Sequence, residues 1–140
     1  MKRIAILLFA ALLLVPLSAS AASFKVIVNS AANVTSLPKK EISDLFMKRT
    51  AKWSNGTPVT PVDQSDRSAV RDEFSKTIHG KPTAAVKSYW QQQIFSGQGL
   101  PPPELADDDA VVSYVLSHPG AIGYVTAGTG LNGARTVDVH

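Results

Sequence analysis

The sequence predicts a small α/β domain with helices packed on a central sheet. Three observations carry this. Two apolar runs, Phe24–Asn29 and Ala121–Val125, read as buried strands. Between them lie four stretches whose apolar residues recur at helical spacing, separated by Gly, Pro and Asn turn signals. The resulting order is β-α-β-α-α-α-β-β, with no internal repeat, interdomain linker or low-complexity segment.

The first 22 residues stand apart from this pattern. Lys2 and Arg3 precede an unbroken apolar run from Ile4 to Val15, closed by Pro16, and Ala19-Ser20-Ala21 supplies small residues for cleavage, with Ser20-Ala21-Ala22 as the alternative. This is the pattern of a secretory signal peptide over residues 1–22, leaving a domain over residues 23–140. The run is too short for a bilayer, which needs about 20 apolar residues. The chain has no cysteine. That excludes a lipid anchor on cysteine, so no membrane anchor is expected after processing, and it also excludes disulfides and thiolate metal sites. The formal net charge of +3 falls to about +1 once Lys2 and Arg3 are removed. No basic face of the kind nucleic acid requires is expected.

Phe24-Lys25-Val26-Ile27-Val28-Asn29 is rich in β-branched residues, and its consecutive apolar positions predict a strand buried on both faces. Ser30 to Ser36 reads as a loop. A helix is expected from Pro38 to about Lys48, with Leu37, Ile42, Leu45 and Phe46 as its apolar stripe and basic residues at its negative end. Trp53-Ser54-Asn55-Gly56 signals a turn. Thr57 to Val62 follows as a strand that Pro58 and Pro61 keep short, irregular or at an edge. Val70, Phe74 and Ile78 predict a helix running to about His79 and stopping at Gly80. The next helix, Ala84 to about Phe95, has Thr83 as its cap, places Val86, Tyr89, Trp90 and Ile94 on one side, and ends at Gly97 and Gly99. Leu100-Pro101-Pro102-Pro103 is an extended connector. Asp107-Asp108-Asp109 precedes Val111, Val112, Val115 and Leu116, and acidic residues in a first turn complement the helix dipole. His118-Pro119-Gly120 is a turn. In the strand Ala121–Val125, Gly123 marks a place where another backbone comes close. Gly128 to Gly133 is a loop, and Thr136 to Val139 a last short strand.

Several signals lose to simpler readings. Gly128-Thr129-Gly130-Leu131-Asn132-Gly133 fits a dinucleotide fingerprint, but too little chain follows for the helix and second strand that such a site needs. The acidic triplet lacks the spacing of a metal loop. His79, His118 and His140 are far apart and read as surface or capping residues, and there is no G-x-S-x-G elbow. No catalytic residue, metal site or cofactor is expected. Trp90 reads as a core aromatic, and the sequons at Asn33 and Asn55 carry weight only in a eukaryotic secretory pathway.

One stretch keeps a functional reading. Val62-Asp63-Gln64-Ser65-Asp66-Arg67-Ser68-Ala69-Val70-Arg71 takes a strand through a turn into a helix start, where N–H groups lack internal partners and the dipole is positive. Ser65 or Asp66 can cap that helix. Ser65 and Ser68 can donate to an oxyanion, and Arg67 and Arg71 can add charge-assisted bonds.

Phe24–Asn29, Leu37–Phe46, Trp53, Val62-Asp63 with its hydroxyl-bearing turn, and Pro119-Gly120-Ala121-Ile122-Gly123-Tyr124-Val125 come in an order that resembles phosphate-binding proteins of ABC transporters. The closest resemblance is to the short, single-domain phosphate ABC transporter substrate-binding proteins of the PBP-like superfamily. It covers nearly all of residues 23–140, and its motifs are moderately specific together. The resemblance implies one α/β lobe of a two-lobed, type 2 periplasmic-binding-protein fold. The family's anion turn resembles Arg-x-x-x-Ser-Gly-Thr. Laid over this sequence, its arginine falls on Gln64, its serine on Ser68, its glycine on Ala69 and its threonine on Val70.

Only the serine is kept. The resemblance implies inorganic phosphate or another small oxyanion as ligand, in a non-enzymatic protein secreted to the bacterial periplasm, with Ser68 as the kept motif residue. Weak binding is expected, with Ser65, Arg71 and Arg67 added from the residues of the helix start and not from the motif, Arg67 or Arg71 standing in for the lost cation. The partners the resemblance implies are ABC transporter membrane subunits or a second lobe from another chain. A periplasmic sensor or protein-interaction module is the alternative.

Overall fold

A computed structural model describes residues 23–140; the expected signal peptide lies outside the described residues. In chain order the strands are β1 (Phe24–Val28), β2 (Ser36–Leu37), β3 (Thr60–Pro61), β4 (Asp63–Gln64), β5 (Glu104–Leu105), β6 (Ala121–Thr126) and β7 (Arg135–Val139). The α-helices are α1 (Lys39–Phe46), α2 (Ala69–Phe74), α3 (Thr83–Phe95) and α4 (Asp108–Ser117). The α/β class is as expected.

The main sheet has the order β2-β7-β1-β6-β3, and β4 and β5 form a separate parallel pair. β1 is central. It runs antiparallel to both β6, with Val26 opposite Tyr124, and β7, with Val26 opposite Val137. That position explains its sequence, because Val26, Ile27 and Val28 are all fully buried on one face or the other. Under one face lie Val26, Val28, Ile42, Leu45, Phe46, Phe74, Ile122 and Tyr124. Under the other lie Ile27, Val62, Val111, Val112, Val115 and Val125. Each such side chain contributes about 1.5–3 kcal/mol by leaving water. Phe74 also stacks flat on Tyr124, with ring centroids 3.9 Å apart.

The ends of the elements follow local chemistry, with four departures from expectation. Leu37 lies in β2 and not on the α1 stripe, because it pairs in parallel with Val139 of β7. The loop after β1 contains a 3-10 turn, Ser30–Ala32, whose start is capped by the Asn29 side chain accepting from the Ala31 N–H at 2.9 Å. α3 begins at Thr83, and its cap comes from outside: Asp72 Oδ1 accepts from both the N–H and the Oγ1 of Thr83 at 3.1 Å. α2 continues into one π-helical turn, Ser75–His79, before Gly80 ends it at φ 66°. Asp107 caps α4 as expected, accepting from the Ala110 N–H at 2.9 Å. β3 sits at the edge of the sheet, where its one proline, Pro61, costs no ladder bond.

Gly123 is the tight point of β6. A Cβ there would lie 2.6 Å from Val111 Cγ1 and 3.2 Å from Val62 Cγ2. The close approach is thus by side chains of α4 and of Val62, between β3 and β4, not by another backbone. Gly123→Ala is expected to destabilise the fold by about 1–3 kcal/mol through overpacking. Val111→Ala opens space at the same point, so the double variant should be more stable than the sum of the single effects predicts. Urea unfolding of the four proteins checks this. Strict additivity would show that the contact does not limit packing.

Candidate functional site

The stretch from Asp63 to Arg71 divides into two parts that face different ways. The first is a turn. Ser68 N–H donates to the Ser65 carbonyl at 2.9 Å, and Arg67 N–H donates to Ser65 Oγ at 3.3 Å. The helix therefore starts at Ala69 with Ser68 as its N-cap residue, later than a cap at Ser65 or Asp66 would place it. Asp66 does not cap because its carboxylate is bonded to Lys87 on α3. That hydrogen bond holds the Asp66 carboxyl below its usual range. Ser65 and Ser68 are half-buried, Arg67 is exposed, and among the described residues Arg67 has no carboxylate partner.

The second part is a buried polar knot. Arg71 is only 3% exposed. Its Nε lies 3.1 Å from Asp63 Oδ1, and its Nη1 donates to Glu104 Oε1 at 2.9 Å and to the Gln64 carbonyl at 2.6 Å. Tyr124 Oη donates to Asp63 Oδ1 and accepts from the Gln64 N–H at 3.1 Å. Gln64 is itself buried. Its Nε2 donates to the Tyr124 carbonyl at 2.9 Å and to Asp108 Oδ1 at 2.8 Å. Asp108 also accepts from Thr126 N–H at 3.0 Å and Thr129 Oγ1 at 3.2 Å, so this member of the acidic triplet is a tether as well as a first-turn residue.

Electrostatics fit this assignment. Burial pushes the Asp63 carboxyl up, against the pull of Arg71 and the Tyr124 hydroxyl. Burial, then the Asp63 charge, pushes the Tyr124 phenol up. Burial alone would lower the Arg71 guanidinium, but Asp63 and Glu104 more than offset that. A cavity of about 150 Å³ adjoins the knot, lined among others by Asp63, Arg71, Lys87, Trp90, Pro101 and Glu104. Two carboxylates flank Arg71 there, and none of Ser65, Arg67 and Ser68 lines it.

The structure thus brings Ser65, Arg67 and Ser68 together and turns Arg71 inward. The sequence held a signal for this. Arg71 shares the i, i+3, i+4, i+7 spacing with Phe74, Ser75 and Ile78, all buried. Among the histidines, His118 bonds Tyr114 at the end of α4, with Nδ1 2.8 Å from the carbonyl. His79 is not a surface residue. It is half-buried, its Nδ1 is 2.7 Å from Ser43 Oγ, and it meets the Phe74 ring edge-on. The two partners are 36 positions apart, beyond any local pattern.

The sequence matches the PBP superfamily domain over residues 20–139. The chain belongs to the PBP superfamily. Its fold is similar to an ABC-type phosphate transport receptor from Vibrio cholerae, with a TM-score of 0.66 and 13% identity, covering 84% of this chain and 46% of that one. It is also similar to a phosphate ABC transporter substrate-binding protein with bound phosphate from Clostridium perfringens, at TM-score 0.62 and 20% identity over 84% and 44%. A third neighbour is PstS from Borrelia burgdorferi, at TM-score 0.60 and 12% identity over 84% and 47%. At these identities the likeness is one of fold. No curated protein matches the sequence significantly. The PBP-superfamily chain described here spans less than half the length of these neighbours, and is lobe-sized.

Two predictions follow from the geometry of this PBP-superfamily domain. Arg71→Met leaves Asp63 buried without its cation and is expected to cost about 3–5 kcal/mol in urea unfolding, with part of that recovered by Asp63→Asn in the same chain. An Arg71→Met loss below 1 kcal/mol would contradict a buried pair.

The second concerns pH. Burial lowers the His79 imidazole from 6.5 to about 4, with the Arg71, Arg49 and Lys81 charges adding to the effect. A depressed histidine favours the neutral form in the fold, so its contribution is complete above pH 6.5 and is lost as pH falls from there toward 4. The loss approaches about 2–3 kcal/mol. Urea midpoints measured across that range should decline in the natural protein and stay flat in His79→Gln.

Proposed function

We propose that this chain is an exported, non-enzymatic solute-binding lobe that takes a small oxyanion, inorganic phosphate or a relative of it, weakly at the turn before α2. The supporting observation is one hydrogen-bonded turn, Ser65 to Ser68, that carries two hydroxyl residues and between them an exposed Arg67 with no carboxylate partner among the described residues. Arg71 belongs to this site as a support: its Nη1 holds the Gln64 carbonyl just before the turn, and its charge is taken up by Asp63 and Glu104. Each charge-assisted hydrogen bond contributes roughly 1.5–3 kcal/mol. A turn with one cation and two hydroxyls, without a second lobe closing over it, corresponds to affinity of about millimolar. Residues 1–22 act as a signal peptide in this reading, and the bacterial periplasm is the site of action. The missing lobe, or the membrane subunits of an ABC transporter, would be supplied by other chains.

A second reading, a periplasmic sensor or protein-interaction module, is favoured by one feature. At the C-terminal end of α3, Phe95 is 95% and Ile94 50% exposed, and the two line one open cavity with Ser88, Gln91 and Gln92. Apolar side chains grouped this way mark contact surfaces more often than isolated ones do.

Isothermal titration of the purified protein with phosphate and sulfate should give weak, saturable heat, reduced severalfold by Arg67→Ala. Submicromolar phosphate affinity in the monomer would overturn the weak-site reading. Heat unchanged by Arg67→Ala would remove the turn from it. A fixed protein partner lost in Phe95→Asp, with no effect of either anion on melting, would establish the second reading instead.

A further inference from the structure

The strongest unabsorbed feature lies on the other side of α2. The π-helical turn Ser75–His79 and the reversal at Gly80 carry His79 and Lys81 back against the C-terminal end of α1. Ser75 Oγ, fully buried, donates to the Lys81 carbonyl at 2.6 Å and fixes that reversal. On the α1 side, Lys48 takes a left-handed φ of 57°, and Arg49 leaves the helix with its N–H bonded to the Asp44 carbonyl at 2.9 Å. The two elements enclose a cavity of about 200 Å³, lined by Ser43, Met47, Arg49, His79, Lys81 and Val86. A water molecule takes about 30 Å³ of liquid, so a four-oxygen anion fits there with several waters.

Its chemistry differs from that of the Arg71 cavity. No carboxylate is among its lining residues, whereas Asp63 and Glu104 line the other. Lys81 has no carboxylate partner among the described residues. Arg49 gives one nitrogen, Nη1, to Asp44 at 3.2 Å, and Asp44 is shared with Lys40, so the rest of the guanidinium fork is free of ion pairs. The last-turn carbonyls of α1 do not oppose an anion unpaired. Those of Ser43, Asp44 and Leu45 accept from the N–H groups of Met47, Arg49 and Lys48. Around His79 the charged groups are Arg71 from α2, Arg49 beyond α1 and Lys81. Three cations thus crowd one half-buried imidazole.

We propose that the cavity between the end of α1 and the π-helical turn is a second binding site, for a tetrahedral oxyanion or the terminal phosphate of a small ester, held by Arg49, Lys81, His79 and the Ser43 hydroxyl. It is independent of the turn before α2. Burial is the main cause that keeps His79 neutral, and the neighbouring cations add to it; an anion here offsets the cations' part, so binding and His79 protonation must strengthen each other by the same factor. A tenfold coupling equals one pKa unit.

The test is an NMR titration of the His79 ring in the purified protein at constant ionic strength. Its arms are chloride, sulfate, inorganic phosphate and glycerol phosphate. The expected result is a saturable rise of about one unit in the His79 pKa with phosphate over chloride. A shift with both phosphate and its ester places the specificity in the tetrahedral group, and a shift with the ester alone assigns the site to esters. Arg49→Ala with Lys81→Ala should abolish the shift, and Lys52→Ala with Arg135→Ala, two exposed cations outside the cavity lining, serves as the charge-matched control. No shift with any of the three oxyanions, or a shift that survives the double variant, overturns the proposal. Neither result depends on Arg67→Ala, which reports on the turn before α2 alone.

Discussion

The buried contact between Arg71 and Asp63 is the constraint around which this domain is arranged. It joins α2 to β4, and through Glu104 it reaches β5, the strand that follows the proline connector. Through the Tyr124 hydroxyl it reaches β6, the partner of the central strand. The same tyrosine ring is stacked by Phe74, three residues beyond Arg71 on the same helix. One turn of helix thus presents a charge to Asp63 and an aromatic ring to Tyr124, whose hydroxyl donates to that same Asp63, and the polar and apolar parts of the core cannot shift independently. Such pairs add little net stability compared with an apolar replacement of the same shape, but losing one partner is costly. Here the pair fixes where α2 sits on the sheet.

That placement has a consequence for ligand chemistry. A guanidinium enclosed by two carboxylates and a carbonyl is not available to an anion from solution. Gln64, just before the turn, is likewise held in hydrogen bonds to Tyr124 and Asp108. Both polar side chains are therefore occupied by the fold itself. What solvent meets at the turn is Arg67, two serine hydroxyls and backbone N–H groups.

The sequence showed the larger elements because their signals are local. Val26 to Val28 and Ala121 to Val125 are contiguous apolar runs because both strands are covered on two faces, and Gly80 and Asp107 act within a turn of themselves. It could not show β2, β4 and β5, each of two residues, because alternation has no meaning over so short a length. Leu37 looked like part of a helix because the helix begins two residues later, and only its pairing with β7, about a hundred residues on, removes it. At the site the same division holds. The turn was legible from Ser65 to Ser68, since hydroxyls and a strand-to-helix change are local. The direction of Arg71 rested on Asp63, Glu104 and Tyr124, two of which are distant in sequence, although its spacing with Phe74 and Ile78 already put it on the buried face.

Histidine 79 shows the limit most sharply. A histidine before a glycine at a helix end is ordinarily a solvated cap, and its favourable interaction with the dipole would raise its pKa. The π-helical turn changes that outcome. Widening the last turn by one residue rotates His79 inward onto Phe74 and Ser43, where burial and three neighbouring cations outweigh the helix end and keep the ring neutral. The extra residue would cost stability if it served nothing, since the wider turn has poorer geometry and is rare outside functional sites. In this chain it brings the basic residues of two helix ends to one cavity with no carboxylate among its lining residues, while Arg71 on α2 is neutralised by Asp63 and Glu104. Positive charge open to solvent thus stands on either side of this helical segment, Arg67 before it and Arg49 with Lys81 at its far end, while the arginine between them serves the core.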